Sequence, residues 1–480
     1  MKSTRRVTRF KSWIALFALF AAAGCGSQSA PPSSLSKSPS APPGVEARIF
    51  VGNEDGTVSV IEHGPGGNNV VQTIPVGTGS TGDMIATGHN HVFVNVTDNN
   101  LVAVLDPIGG QVTGKNDVGA GTRPVHAYLD PLDRNKIWVL NDGDANGNDP
   151  LHCGVSGASV TVIQNHGDGA EEENAGAGGA ALATICVGRG HHKAAFSFPS
   201  EGRPDIPKRA FVSNIKDGTV SVIGNDPTDM ATYLKVAGTI DLCNSSGEAK
   251  KGKPPCDADL GTSNSASPHG LDYSPVSGMV YNSDVGYGMV AVIDPTTNGV
   301  TTTLDIGFAN KAHVTPDVRF LIVKGTDTGS DPNHVIGKLT VIDVQTNTQV
   351  SQIDFPDIHP DSFEFTPDGK KLYVVSATSG SGAQKANLKN NVVLAFDSSG
   401  LPTLPSPKEI TVGVADGGHR AITIHEEEGK AEHVIVPNPG EDTVSFIDVA
   451  TDTVVDTVVV GDEPGAVLVF PLEGDLSHSH

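Results

Sequence analysis

A short apolar motif with alternating side chains recurs along the chain and predicts one β-strand per copy. Its form is Val-x-Val-Ile or a close variant, as in residues 58–61. Val and Ile are enriched in strands, where successive side chains point to opposite faces. The copies lie 44 to 70 residues apart, so each interval has room for one small sheet and its loops. The eight copies begin at Val58, Val102, Val160, Val220, Val290, Leu339, Val392 and Val444.

Each copy is flanked by apolar segments that complete a four-stranded unit. A strand such as residues 211–214 precedes it, and a turn rich in Gly, Asn or Asp joins the two, as a tight hairpin requires. A third strand ends on Val-Gly, as at residues 185–188, and a fourth, such as residues 268–275, leads into the next unit. Repeats of four short antiparallel strands are typical of β-propeller blades. We therefore predict an all-β chain that forms a single β-propeller of eight four-stranded antiparallel blades.

The two chain ends are predicted to close the ring. The first unit lacks its own leading strand, and the chain ends with a spare apolar strand at residues 465–470. If this C-terminal strand joins the first blade, two open sheet edges disappear.

Two stretches show the repeat most clearly: Ala210-Phe-Val-Ser-Asn with Asp217-Gly-Thr-Val-Ser-Val-Ile223, and Thr443-Val-Ser-Phe-Ile-Asp with Thr453-Val-Val-Asp-Thr-Val-Val-Val-Gly461. They resemble the repeats of the YVTN-repeat, YncE-like β-propeller family, and the resemblance covers nearly all of residues 48–473. Many members of that family have seven blades, so seven is the alternative to the eight counted here. The resemblance implies architecture rather than activity, because members include binding proteins, lactonase-like hydrolases and subunits of redox enzymes.

The N-terminus has the features of a bacterial lipoprotein signal. Five positive residues precede an apolar run of eleven residues, which is too short to cross a bilayer as a helix. The run ends in Ala22-Ala-Gly-Cys25, which resembles a lipobox with Cys25 as the lipidated residue; ordinary secretion is the alternative. We predict a signal peptide at residues 1–24, a disordered Ser/Pro-rich tether at 25–46, the propeller at 47–473 and a flexible tail at 474–480.

This organisation predicts a place in the cell. The body is tied to a membrane through its N-terminal lipid only, in the bacterial cell envelope, either periplasmic or surface-exposed. Gly26 follows the lipidated position instead of the Asp that retains lipoproteins in the inner membrane, so the outer membrane is favoured. Four cysteines remain in this oxidising compartment, and we predict structural disulfides among Cys153, Cys186, Cys243 and Cys256. Of the three possible pairings, Cys153–Cys186 with Cys243–Cys256 has the shortest loops.

Charge narrows the possible partners. The formal net charge is -23, and loss of the five positive charges of the signal takes it to -28. A nucleic-acid-binding protein needs a basic face to neutralise phosphates, so we expect no nucleic acid as a partner. We expect a monomer that binds an envelope protein, a glycan or a small molecule.

Histidine supplies the candidate metal site. Six units carry a His near the start of the leading strand, which is the innermost strand of a propeller blade, so these side chains could converge on the central channel. Imidazole binds Cu, Zn and Fe, and a ring of histidines could hold one such ion. The alternative is a hydrogen-bonding or solvent-facing role. The six residues are His126, His192, His269, His313, His359 and His419.

Two weaker patterns complete the candidates. The loop that contains Asp142, Asp144 and Asn146 has oxygen ligands at alternate positions, as in a Ca²⁺ loop, but lacks the final Glu of an EF-hand. His425 and His433 flank a charged hairpin and could form a metal clip, although a solvated turn is the simpler interpretation.

The sequence contains no G-x-S-x-G nucleophile motif, P-loop or dinucleotide fingerprint. The sequence therefore favours a binding or interaction scaffold with a His-lined metal site. The alternatives are a metal-dependent enzyme or metal-handling protein, and a lactonase-like hydrolase.

Overall fold

The computed structural model describes residues 42–87, 91–143, 158–165, 179–415, 417–427 and 430–472. The strands in these ranges form eight four-stranded antiparallel sheets, the blades of a β-propeller. This confirms the predicted fold class and decides for eight blades over seven. The predicted signal peptide and Cys25 lie outside the described residues, as do the tail and most of the tether. Residues 42–46 form a turn that leads into the first strand.

Seven blades use four consecutive strands, and one combines the two chain ends. Two short helices lie in loops. No helix in the described part of the chain is long and apolar enough to cross a membrane. The elements are β1 (Ala47–Gly52), β2 (Thr57–Gly64), β3 (Gly67–Pro75), β4 (Thr81–Ala86), β5 (Val92–Val96), β6 (Leu101–Asp106), β7 (Gln111–Asp117), β8 (Pro124–Asp130), β9 (Asp133–Asn141), β10 (Ser159–Gln164), β11 (Ala180–Cys186), β12 (Ala194–Ser197), β13 (Arg209–Asn214), β14 (Thr219–Gly224), β15 (Val236–Asp241), α1 (Ser245–Lys250), β16 (Pro268–Ser274), β17 (Met279–Asp284), β18 (Met289–Asp294), β19 (Gly299–Asp305), β20 (Lys311–Val314), β21 (Phe320–Asp327), β22 (Ile336–Asp343), β23 (Thr348–Pro356), β24 (Pro360–Phe365), β25 (Lys371–Ser376), α2 (Ala383–Asn387), β26 (Val392–Asp397), β27 (Lys408–Thr411), β28 (Thr423–Glu427), β29 (Lys430–Asn438), β30 (Thr443–Asp448), β31 (Thr453–Val459) and β32 (Ala466–Pro471).

The predicted ring closure is confirmed. The first blade has the strand order β3-β2-β1-β32, so the last strand of the chain pairs with the first. Their antiparallel register runs from Ala47 opposite Pro471 to Gly52 opposite Ala466.

The Val-x-Val-Ile motif forms the third strand of each blade, counted from the axis, and both faces of this strand are covered. In β14, Val220 and Val222 pack against the following blade, whereas Ile223 packs against the preceding one. The pairing of β14 with β15 shifts register between Val222 and Ile223. The motif therefore supplies side chains for two inter-blade cores at once, which explains why both of its faces are apolar.

In several blades, a buried Asn at the end of the second strand stabilises the hairpin to the third strand. The Asn214 side-chain amide donates hydrogen bonds to Thr219 Oγ1 at 2.9 Å and Ser221 Oγ at 3.0 Å. Asn53, Asn141 and Asn438 make the same paired contacts in their own blades. This bridge accounts for the Asn and the Thr/Ser positions of the repeat.

The first strand of a blade is the innermost one. Such strands contact one another between neighbouring blades, as β4 does with β8 and β12 with β16, so they surround the central axis. In the insertion after β15, the predicted Cys243–Cys256 disulfide is present, with Cα atoms 5.9 Å apart. Cys186 is also disulfide-bonded, and its predicted partner Cys153 lies outside the described residues.

Candidate functional site

Two histidines near the axis face each other, and each is held by a carboxylate. His126 lies on the inner strand β8, and its Nδ1 is 2.8 Å from Asp83 Oδ2 on β4. His191 precedes β12, and its Nδ1 is 2.6 Å from Asp142 Oδ2. The two Nε2 atoms are 3.0 Å apart. Four consecutive blades thus contribute to one cluster, the axial cluster, which we define as Asp83, His126, Asp142, His191 and the neighbouring His269.

When both Nδ1 atoms donate to their carboxylates, the two Nε2 lone pairs are directed at each other. A neutral imidazole carries one N–H, and when Nδ1 donates it to a carboxylate, Nε2 has only a lone pair. Two such atoms 3.0 Å apart repel unless a proton or a cation lies between them. Zinc–nitrogen bonds of about 2.0–2.1 Å place two ligands of one ion about 2.9–3.4 Å apart for angles between 90° and 109°. The pair therefore has the spacing of two ligands on one ion.

His269 extends the pair into a row of three rings. Its ring stacks on His191 with centroids 5.2 Å apart and an interplanar angle of 20°. Its Nδ1 lies 3.2 Å from the Asn310 carbonyl oxygen, to which it donates. The His126 and His191 rings are 4.7 Å apart in an edge-on arrangement. Lys193 adds a cation, with Nζ 3.1 Å from His126 Nδ1.

The axial cluster is partly buried, and this lowers the pKa values of two of its imidazoles. Burial and the Lys193 cation lower the pKa of His126 to about 4 and that of His269 to about 2. Burial also lowers the pKa of Lys193 to about 8. Burial alone would raise the pKa of Asp83, but His126 and Lys193 outweigh it and hold that pKa below its usual range. The Asp83 side chain is nevertheless 43 % exposed, as expected on the wall of a water-accessible channel.

The other four predicted histidines are not part of this row. His192 and His419 are buried, and their Nδ1 atoms donate to the carbonyl oxygens of Ser213 and Pro437 at 2.7 and 2.8 Å. His313 Nδ1 lies 3.0 Å from Asp272 Oδ2. The pKa of His359 is lowered to about 4 by burial and by Lys324, and its Nδ1 has no hydrogen-bond partner among the described residues.

The predicted calcium loop is described only at its first position. The Asp142 carboxylate accepts hydrogen bonds from His191 Nδ1 and, at 3.3 Å, from the His192 backbone N–H. Asp144 and Asn146 lie outside the described residues.

Sequence reasoning ranked two contributors too low. Neither His191 nor Asp83 is among the residues that the sequence predicts for the metal site. The consecutive pair His191-His192 was the available signal, since adjacent residues point in different directions and only one could occupy the buried niche. Nothing in the sequence marks Asp83, because its role depends on a contact across a blade boundary.

In the described part of the chain, one set of three side chains brings potential metal-ligand atoms within 4.8 Å of one another. It consists of His63, His425 and His433, where the last blade meets the first. The hairpin pair His425 and His433 therefore belongs to a candidate metal site, although the charged turn between them indicated a solvated hairpin.

Solved structures with the same architecture are found at low sequence identity. The dihydro-haem d1 dehydrogenase NirN, solved in complex with DHE, is 11 % identical with a TM-score of 0.57, covering 92 % of this chain and 79 % of that one. Sqt1 of Saccharomyces cerevisiae is 12 % identical with a TM-score of 0.55, covering 82 % and 94 %. Apo AztD of Citrobacter koseri is 14 % identical with a TM-score of 0.51, covering 90 % and 100 %.

These similarities show the β-propeller fold and nothing finer. No protein-family model and no curated protein sequence matches the chain.

Proposed function

We propose that the chain is a lipid-anchored binding propeller of the bacterial cell envelope that holds a divalent transition-metal ion between His126 and His191. The observation that carries the proposal is the 3.0 Å approach of two Nε2 atoms whose rings each direct Nδ1 at a carboxylate. A carboxylate behind a ligating imidazole fixes its tautomer and raises its basicity, and it is a frequent partner of metal-bound histidine.

The ligand type narrows the choice of metal to copper, zinc or iron. Imidazole suits these ions, whereas calcium prefers oxygen ligands. Burial keeps His126 neutral at physiological pH, which leaves its lone pair available for ligation. His269 is the next imidazole in the row, so it is the residue best placed to join the pair.

Sequence features support the envelope location and the scaffold role. The lipobox-like Cys25 and the polar tether support a location outside the cytoplasm, and the Cys243–Cys256 disulfide agrees with an oxidising compartment. The repeats support membership of the YVTN-repeat, YncE-like group. We propose that the long insertions after β9 and β15 recognise an envelope protein, a glycan or a small molecule.

Metal titration of the full-length protein without an affinity tag tests the proposal. We expect the H126Q/H191Q variant to bind one ion fewer per chain than the unmodified protein, because two adjacent ligands are lost. H359Q is the matched control, since it replaces a partly buried histidine directly before the inner strand β24 that makes no ring contact with another imidazole in the described structure. Equal metal content and affinity in H126Q/H191Q and the unmodified protein would refute the axial site.

Lys193 favours a second candidate function, a metal-dependent enzyme. Its pKa is lowered to about 8, so a fraction of its amine is neutral at physiological pH and can accept a proton. Perturbed titratable groups gather at catalytic sites more often than elsewhere. If the protein is a lactonase-like hydrolase, we expect the K193M variant to lose hydrolytic activity while its metal content stays unchanged.

A further inference from the structure

A second group of imidazoles lies away from the axial cluster, at the junction of the last blade and the first. His425 on β28 and His433 on β29 stand directly opposite each other in the sheet register. His63 comes from β2 of the first blade. Its ring centroid is 4.5 Å from that of His425 and 5.0 Å from that of His433. We call these three residues the closure triad.

The closure triad has the hydrogen-bonding pattern of a ligand set. His63 Nδ1 lies 2.6 Å from Asn68 Oδ1, to which it donates, so its Nε2 carries a free lone pair. Asn68 Nδ2 in turn donates to Asp456 Oδ2 at 2.8 Å, which fixes the orientation of the amide. Ligating histidines are held in this way by outer hydrogen-bond partners.

The other two rings carry buried nitrogens that nothing satisfies. Nδ1 of His425 and Nδ1 of His433 have no hydrogen-bond partner in the described structure. The His425 side chain is 2 % exposed and that of His63 5 %. A buried polar atom without a hydrogen-bond partner destabilises the folded state. Two unpaired buried nitrogens in one cluster of three imidazoles indicate a binding site for a cation rather than a defect of packing.

Packing alone does not account for the arrangement. The His63 ring stacks on Phe446, with centroids 5.8 Å apart and planes within 7°. An aromatic hydrocarbon side chain would make the same contact without a buried nitrogen.

We propose that His63, His425 and His433 bind one transition-metal ion, of the zinc or copper class, which clamps the last blade to the first. Three imidazoles with a fourth open position form a common ligand set for these ions. Ligand nitrogens around a tetrahedral ion stand about 3.3–3.4 Å apart. In the structure, the potential ligand atoms of the three histidines lie within 4.8 Å of one another. Binding of the ion would therefore draw the three rings closer together.

The clamp would act where the ring is most easily opened. The pairing of β32 with β1 and the packing of the last blade on the first together join the two ends of the chain. Because the ligands come from both sides of this junction, opening the ring at this point would break the metal site. The inference does not depend on the axial cluster, which involves other blades.

Thermal unfolding of the full-length, untagged protein with Zn²⁺ alone tests the clamp. His478 and His480 are replaced by Ala in every sample, so that the tail contributes no ligands. At free Zn²⁺ 100-fold above its Kd, binding contributes about 2.7 kcal/mol, which is about 3 °C in Tm for a chain with about 400 described residues. H63F is made in the H126Q/H191Q background, so that the axial pair contributes no ion. In that background we expect the shift to vanish in H63F, which keeps the ring on Phe446 but cannot ligate.

Two further variants keep the outcome interpretable. H433F removes a second ligand at a less buried position, so it tests the clamp even when H63F fails to fold. H126Q/H191Q should retain the shift, because it leaves the closure triad intact. A shift that persists in H63F and H433F made in the H126Q/H191Q background, or no shift in the protein with the triad intact, overturns the inference. A shift lost only in H126Q/H191Q would overturn it as well and would assign the stabilising ion to the axial cluster.

Discussion

Removal of β32 is the most direct perturbation of the ring. A chain that ends at Asp462 lacks the strand that pairs with β1 but retains the other three strands of the first blade. A chain that ends at Leu472 is the matched control, because it loses only residues outside the described structure. We expect the shorter chain to be destabilised as a whole and the control to behave like the full chain.

The magnitude follows from what β32 buries. Leu468 and Phe470 are each 3 % exposed and pack in the core between the first and second blades, with Phe50 and Met84. Burial of such side chains contributes about 1.5–3 kcal/mol each, so the two together contribute about 3–6 kcal/mol. The loss of the six-residue pairing with β1 adds to this sum. Domains are stable by only about 5–15 kcal/mol, so the deletion removes much of the total.

Urea unfolding followed by tryptophan fluorescence and circular dichroism measures the effect. F470A provides a graded version, for which we expect a loss of about 3–5 kcal/mol. V459A is its control, because Val459 is 71 % exposed and should change stability by less than about 0.5 kcal/mol. If the chain ending at Asp462 unfolds at the same urea concentration as the control, β32 does not stabilise the ring and the closure argument is wrong.

Three further predictions concern other parts of the fold. Asn214→Ala should lower the free energy of unfolding by about 1–3 kcal/mol, measured by urea titration, because two buried hydrogen bonds are lost. Burial lowers the pKa of His313, but Asp272 outweighs it and the net pKa is raised, while that of Asp272 is lowered. Stability from this pair is therefore lost as pH rises through the His313 pKa or falls through that of Asp272. The difference between the unmodified protein and H313Q, followed by Tm against pH, should be largest between pH 3.8 and 6.5. Replacing Cys243 and Cys256 by Ala should destabilise the insertion by about 2–4 kcal/mol, seen as faster limited proteolysis there.

The architecture could be predicted because every repeat packs between two neighbouring blades in the same way. A strand between two blades must be apolar on both faces, so the Val-x-Val-Ile motif is required in each copy. Hydrogen bonding within the hairpin adds a second constraint. In β13 and β14, the Asn214 side-chain amide requires hydroxyl groups five and seven residues later along the chain. Constraints that act within one repeat leave a periodic trace in the sequence, and that trace gave the strand count and the ring closure.

The candidate sites could not be predicted in the same way, because their contacts cross between repeats. His126 and His191 are 65 residues apart, and His126 is 43 residues from Asp83. His425 and His433 could be paired from the hairpin between them, but their third partner, His63, comes from the other end of the chain. Closure of the ring brings His63 next to His425 and His433. A correct prediction of the fold, without atomic coordinates, therefore does not identify His63 as their partner.

The repeat nevertheless restricts where such sites can form. The second and third strands of each blade are buried between neighbours, and their alternating positions are taken up by the apolar core and the Asn bridge. These two constraints do not act at the start of the innermost strand or at the ends of the hairpins, where a side chain meets the next blade or the channel. His126 and His191 occupy the first kind of position and the closure triad the second. Both sets therefore lie at blade boundaries, where two neighbouring blades can each contribute a ligand without disturbing the core of either.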